Sequence, residues 1–178
     1  RHFDGLLSHL RRIVAGAISE ECNPFIQTGA IANVMFLVSV ASGILLIFWY
    51  VPSVHEAWDS VEAMRKSPWL AGLMRSLHRY SSDACVLFAL LHAGQIFFGR
   101  RFTAARWLPW VTGIALVGLL WFDGWLGYWL VWDDRAAEIA RGTARLLDVL
   151  PVFAAPFSMS LVSDEAVSSL LFFLVFFL

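Results

Sequence analysis

Three long stretches of this chain are apolar almost without interruption, and polar, charged segments separate them. Thr28–Val51 carries no charged residue, Ser76–Gly99 only Arg79 and Asp83, and Trp107–Val131 only Asp123. Each is long enough, as a helix rising about 1.5 Å per residue, to cross a hydrocarbon core about 30 Å thick. Val167–Leu178 opens a fourth such stretch, but its 12 residues reach only about 18 Å. The pattern predicts an all-α membrane protein: a transmembrane four-helix bundle, spans A to D, with the fourth helix cut short. The chain opens on Arg1 and closes within that fourth helix, so it is expected to be a fragment of a longer polypeptide.

Ahead of span A, Asp4–Ser19 alternates at helical spacing. Leu6, Leu7, Leu10, Ile13, Val14 and Ile18 share one broad face, opposed by His9, Arg11 and Arg12. A helix lying in the membrane interface has this character, and so does a helix capping the bundle from the water side. The expected organisation is therefore an amphipathic segment over 1–27 and a helix bundle over 28–178.

Composition agrees with the span pattern. Hydrophobic residues make up 59% of the chain and charged residues 15%, against about 25% charged in ordinary soluble domains. Net charge is −1, and no basic run is long enough to suggest nucleic acid. The two cysteines, Cys22 and Cys85, form no CxxC or CxxCH, so neither a zinc site nor a covalently attached c-type haem is signalled. Between spans B and C, Arg100, Arg101 and Arg106 stand without an acid. The positive-inside rule places that turn, and with it the N-terminus bearing Arg11 and Arg12, on the cytoplasmic side. The A–B (Pro52–Arg75) and C–D (Trp132–Ala166) connections then face the opposite, p side. Trp49, Trp107, Trp110, Trp129 and Trp132 fall at span ends, as an aromatic belt requires. The expectation is a multi-pass protein of a bacterial inner membrane.

The candidate chemistry lies in an interval. His78 and His92, Gly29 and Gly43, and Gly113 and Gly127 are each 14 residues apart, one pair to each span. Fourteen helical residues rise about 21 Å and return to within about 40° of the starting face. One histidine in an apolar helix is ordinarily a packed, hydrogen-bonded core residue. Two on one face at two depths suit axial ligation of two stacked b-type haems, because ionisable groups inside a span mark function and neutral imidazole binds iron. The glycines would let a porphyrin edge approach the backbone; small-residue helix packing is the plainer reading of any one of them.

Haem propionates need cationic partners. Arg75 and Arg79 bracket His78, and Arg100, Arg101 and Arg106 lie beyond His92, where anchoring by the positive-inside rule serves equally well. Asp83 and Asp123 are unusual inside spans. Each suits a protonatable relay near a quinone site, or an interfacial carboxylate paired with Arg75 or Arg79, the pairing being the more expected.

From Asn33 to about Asp164 the chain resembles the N-terminal half of cytochrome b, most like the short form of cytochrome b–f complexes. The resemblance is carried by SGILLIFWYVPSVHEAWDSV (Ser42–Val61), MRSLHRYSSDACVLFALLH (Met74–His92), RWLPWVTG (Arg106–Gly113), GYWLVWDD (Gly127–Asp134) and LPVFAAP (Leu150–Pro156). It implies that His78 and His92 each give one axial ligand to one of two b haems. It also implies that Gly29, Gly43, Gly113 and Gly127 border the haems, and that Arg75, Arg79 and Arg106 meet propionates. Short p-side helices beside a quinol pocket are implied for about Asp133–Met159. In the family the second ligand of each haem lies on span D. Here none is present, and His2, His9 and His55 are misplaced, so the partners are expected beyond Leu178. No cysteine stands near the start of span A, so no covalently tethered third haem is expected. Val131 replaces a common proline in GYWLVWDD, and the family's Pro-Glu-Trp-Tyr segment is absent.

Three functions follow. The first is electron transfer between quinone and a redox partner as the cytochrome b subunit of a quinol:cytochrome c or plastocyanin oxidoreductase, with iron–sulfur or cytochrome subunits as neighbours. The second is a dihaem, quinone-linked anchor of a different redox complex. The third is a haem-free scaffold.

Overall fold

The computed structural model describes residues 24–53, 55–103 and 106–147, with residues 9 and 149. Five helices and no strand occur among them: α1 (Thr28–Leu46), α2 (Ala57–Lys66), α3 (Leu70–Phe98), α4 (Trp107–Trp129) and α5 (Asp134–Leu147). α1, α3 and α4 are long and apolar enough to cross a membrane, as the span pattern predicts. The N-terminal amphipathic segment, Cys22 and span D lie outside the described residues.

Span limits differ from the hydropathy pattern at three ends. α1 stops at Leu46 rather than Val51, and its last turn tightens into i→i+3 bonds from the amides of Ile47, Phe48 and Trp49. Chain leaving the helix there turns Trp49 and Tyr50 onto a cluster of Val61, Met64 and Ala71. α3 begins six residues before Ser76, at Leu70, because Ala71 joins that same cluster. α4 ends at Trp129, two residues short of Val131, where Trp132 takes a left-handed φ of 50°. The A–B connection also holds a helix, α2, that the span pattern passes over.

The chain divides into two compact units, one from Arg1–Ser42 and Leu77–Trp121, the other from Gly43–Ser76 and Phe122–Leu178. In the first, α1 buries Thr28, Ala32 and Ser42, with Met35 and Ser39 half-buried between them. That 4-3-4-3 stripe of mostly small and polar residues is what close helix approach in a membrane favours. α3 answers with His78, Cys85 and His92 at intervals of seven. The two helices run antiparallel: Thr28 meets His92, and Ser39 meets His78. At the far end of α3, Arg100 and Arg101 return amide bonds to Phe97 and Ile96 with Arg100 at φ 50°, the Schellman pattern. Phe97 stacks on Phe102 and Trp110, at centroid distances of 5.7 and 6.1 Å, and holds that turn closed.

The second unit is built around tryptophan and alanine. Trp129, Trp132, Ala57, Ala137 and Ala140 form one buried cluster, and the Tyr50 hydroxyl donates to the Leu130 carbonyl at 2.7 Å. α5 starts where the Asp133 carboxylate accepts the Ala136 amide at 2.7 Å, an N-cap. Its position agrees with the short helix that the resemblance implies after span C. Between α2 and α3, Pro68 holds Ser67 extended (ψ 121°). Gly72 is required there, since a Cβ would clash with the Ser67 carbonyl oxygen.

Candidate functional site

Both histidines of α3 meet α1, and their ring protons can be assigned from the hydrogen bonds. At His78, Nδ1 lies 2.8 Å from the Ser39 carbonyl oxygen. A carbonyl only accepts, so Nδ1 carries the proton and donates it. The neighbouring hydroxyls agree. Ser82 Oγ donates to the His78 carbonyl at 2.7 Å, which leaves Ser39 Oγ to donate to Ser82 Oγ at 2.6 Å. Ser39 Oγ, 3.5 Å from Nδ1, then faces it with a lone pair.

At His92 the same protonation is reached by another route. Gln95 Nε2 donates to the Phe25 carbonyl at 2.7 Å, so Gln95 Oε1 is turned to accept the Thr28 hydroxyl at 3.2 Å. That hydroxyl has a single proton. Its contact with His92 Nδ1, also 3.2 Å, is therefore one in which Nδ1–H donates to Thr28 Oγ1. In both rings Nε2 retains its lone pair. A metal-binding imidazole has this arrangement, with one nitrogen held by an acceptor and the other presented to the metal.

His78 is half-buried and His92 is exposed. Among the described residues no three His, Cys, Asp or Glu gather as ligands of a bare metal ion. The donor at each level is one imidazole, which fits an axial position on a haem rather than chelation.

The glycines are placed differently from one another. A Cβ on Gly29 would stand 2.9 Å from His92 Cε1 and 3.1 Å from its Nδ1, so this glycine lets α1 close on the imidazole ring itself. Gly43 is half-buried on α1. A Cβ on Gly113 or Gly127 would meet no atom within 4 Å; that room would admit a porphyrin edge, although Gly118 and Gly124 on the same helix have it too.

Because α3 begins at Leu70, Arg75 and Arg79 lie inside the helix on either side of His78, Arg75 half-buried and Arg79 exposed. Arg106 is exposed just ahead of α4. Asp83 and Asp123 are exposed, and the expected pairing with Arg75 or Arg79 is not formed. The ion pairs among the described residues join Glu62 to Arg65 (2.7 Å) and to Lys66 (3.3 Å). An i,i+3 and an i,i+4 partner reach Glu62 on one short helix; Arg79 and Asp83 stand four residues apart on α3 at the same spacing, yet no ion pair joins them.

Sequence reasoning missed Thr28, Ser39, Ser82 and Gln95. Their signal was present as polar residues inside apolar spans: Ser82 and Gln95 lie one turn after His78 and His92, and Thr28 and Ser39 are three turns apart on one face of α1.

The sequence model of the cytochrome b/b6/petB family matches residues 13–178. The match runs through α1 to α5 and includes both imidazoles. Members are membrane subunits of redox complexes, and the family implies binding of b-type haem. Three apolar helices of spanning length, two tautomer-fixed imidazoles on one of them and a match over nearly all its residues lead to one conclusion: this chain belongs to the cytochrome b/b6/petB family of integral membrane electron-transport proteins.

Proposed function

We propose that the chain carries electrons across the membrane through two b-type haems, one at His78 and one at His92, exchanging them with quinone on one face and a redox partner on the other. The observation that carries this reading is the matched state of the two imidazoles, each with Nδ1–H engaged and Nε2 free, 14 residues apart on one helix. A b-type haem at each level supplies a one-electron couple. The chain's own residues orient the ligands, sheathe them in apolar helix, and offer Arg75, Arg79 and Arg106 as counter-charges to propionates. Gly29, Gly43, Gly113 and Gly127 give close approach at the same vertical interval. Residues 28–178 form the dihaem bundle, and 1–27 the interfacial segment on the cytoplasmic side of a bacterial inner membrane. The complex is of the quinol:cytochrome c or plastocyanin type, with iron–sulfur or cytochrome subunits as neighbours.

The test is pyridine haemochrome quantitation with a reduced-minus-oxidised spectrum of the purified complex. Two b haems per copy of this chain are expected. None would leave the scaffold reading, with family membership recording ancestry alone.

A further inference from the structure

The two imidazoles reach the same tautomer through acceptors of different kind. His78 donates to a main-chain carbonyl at 2.8 Å, which no side-chain substitution removes. His92 donates to a hydroxyl at 3.2 Å, and that hydroxyl faces Nδ1 with a lone pair because its one O–H donates to Gln95 Oε1. Gln95 is oriented in turn by the Phe25 carbonyl just ahead of α1. Thr28 is fully buried at the first residue of α1, and Gly29 beside it lets the helix approach the ring.

We propose that Thr28 and Gln95 are positioning residues for the His92 haem: a side-chain relay, His92 Nδ1–H to Thr28 Oγ1 to Gln95 to the Phe25 carbonyl, that fixes the ligand tautomer and tunes the potential at that level alone. The proposal rests on the dihaem reading above. Donation from Nδ1 makes Nε2 a stronger base toward the metal and favours the oxidised state. Donation of a hydrogen bond by the Thr28 hydroxyl to Gln95 Oε1 strengthens Thr28 Oγ1 as an acceptor, since hydrogen bonds in a chain polarise one another. Loss of the relay therefore raises the potential at His92. At His78 the carbonyl is built into α1, and loss of the Ser39 hydroxyl leaves it in place.

The experiment is a potentiometric titration of the b haems in the purified complex, with His78→Ala and His92→Ala assigning each component. Thr28→Val is expected to shift the His92 component upward and leave the His78 component unmoved. Gln95→Leu is expected to shift it the same way by less, Thr28→Ser to restore the wild-type value, and Ser39→Ala to move neither component. An unmoved His92 component in Thr28→Val, an equal shift of both, or no rescue by serine overturns the relay and leaves the dihaem reading standing. If Thr28→Val fails to retain that haem, Gln95→Leu, which keeps the hydroxyl, decides: an upward shift supports the relay and an unmoved potential overturns it. A wild-type complex with no b haem overturns the reading and the relay together.

Discussion

In the unit that holds the imidazoles, the inward side chains of α1 and α3 include Ala32, Met35 and Cys85 but also Thr28, Ser39, Ser42, Ser81 and Ser82, bonded to one another, to histidine or to main-chain carbonyls. In the other unit the interior is Val61, Met64, Ala57, Ala140 and two tryptophans, while Asp133 caps a helix and Glu62 pairs at the surface. A polar group buried without a partner costs about 1–3 kcal/mol by mutational data, so polar residues kept inside a membrane helix need a compensating use. Thr28 has such a use in holding the His92 ring, while the serines bond one another and the main-chain carbonyls of their helices, the Ser39 carbonyl that holds His78 among them. Among the described residues of the tryptophan–alanine unit, Asp133 caps α5 and the Tyr50 hydroxyl meets the Leu130 carbonyl just past α4, so these polar groups serve helix ends instead. The contrast separates side chains that serve chemistry from side chains that serve stability, and substitutions can test the division.

The largest effect is expected from the two proposed ligands. His78→Ala and His92→Ala should each remove one of two b haems while the other remains, read by pyridine haemochrome per chain. Loss of both from either substitution would break the picture of two separately held sites.

Gly29→Val comes next. Its branches would occupy the place of the His92 ring, displacing the imidazole from Thr28. Disturbing a ligand's supporting shell costs about 10–100-fold in affinity, so retention of the His92 haem should fall by about tenfold or more. Gly113→Val, which meets no protein atom within 4 Å of the new Cβ, should leave folding intact. Any haem lost there would report contact with the macrocycle.

Ala140→Leu sharpens the other side of the contrast. Ala140 is fully buried in the tryptophan cluster, and added core methylenes cost about 1–3 kcal/mol. Thermal unfolding in detergent should move down accordingly while the haem count stays unchanged. A lost haem in this variant would mean that the two units do not divide the work.

The smallest effect is electrostatic. Hydrogen bonding from Arg65, aided by Lys66, lowers the Glu62 carboxyl from 4.5 to about 2. A lowered folded-state value stabilises above the unfolded value and is lost as pH falls through the folded one. The Glu62 contribution is thus whole above about 4.5, declines below it and is gone below about 2. Glu62→Gln should be slightly less stable than wild type at pH 7, with the gap narrowing as pH falls below 4.5. As an exposed pair it should also weaken with salt.

Span existence was legible in the residues because hydropathy over 20 positions sums many small transfer terms into an unambiguous signal. The end of α1, the early start of α3 and the presence of α2 were not. Ala57, Val61 and Met64 lie at helical spacing, but three residues form a weak stripe, and its meaning depends on Trp49, Tyr50 and Ala71 arriving against it. The pairing expected of Asp83 did not form with Arg79, four residues before it on α3: helical spacing permits such a pair, but an exposed one gains little from closing.

The sequence by itself determined three membrane helices, two imidazoles on one face at an interval of 14, and membership in the family that those residues resemble. These are properties of composition and period, which a helix converts directly into geometry. Only the tertiary structure decided which nitrogen of each imidazole carries its proton. That choice depends on the Ser39 carbonyl and the Thr28 hydroxyl, donated by a helix 39 and 64 residues away in the chain. A hydrogen bond forms over about 3 Å of space, and no pattern along a single strand of sequence encodes which distant groups packing will bring that close.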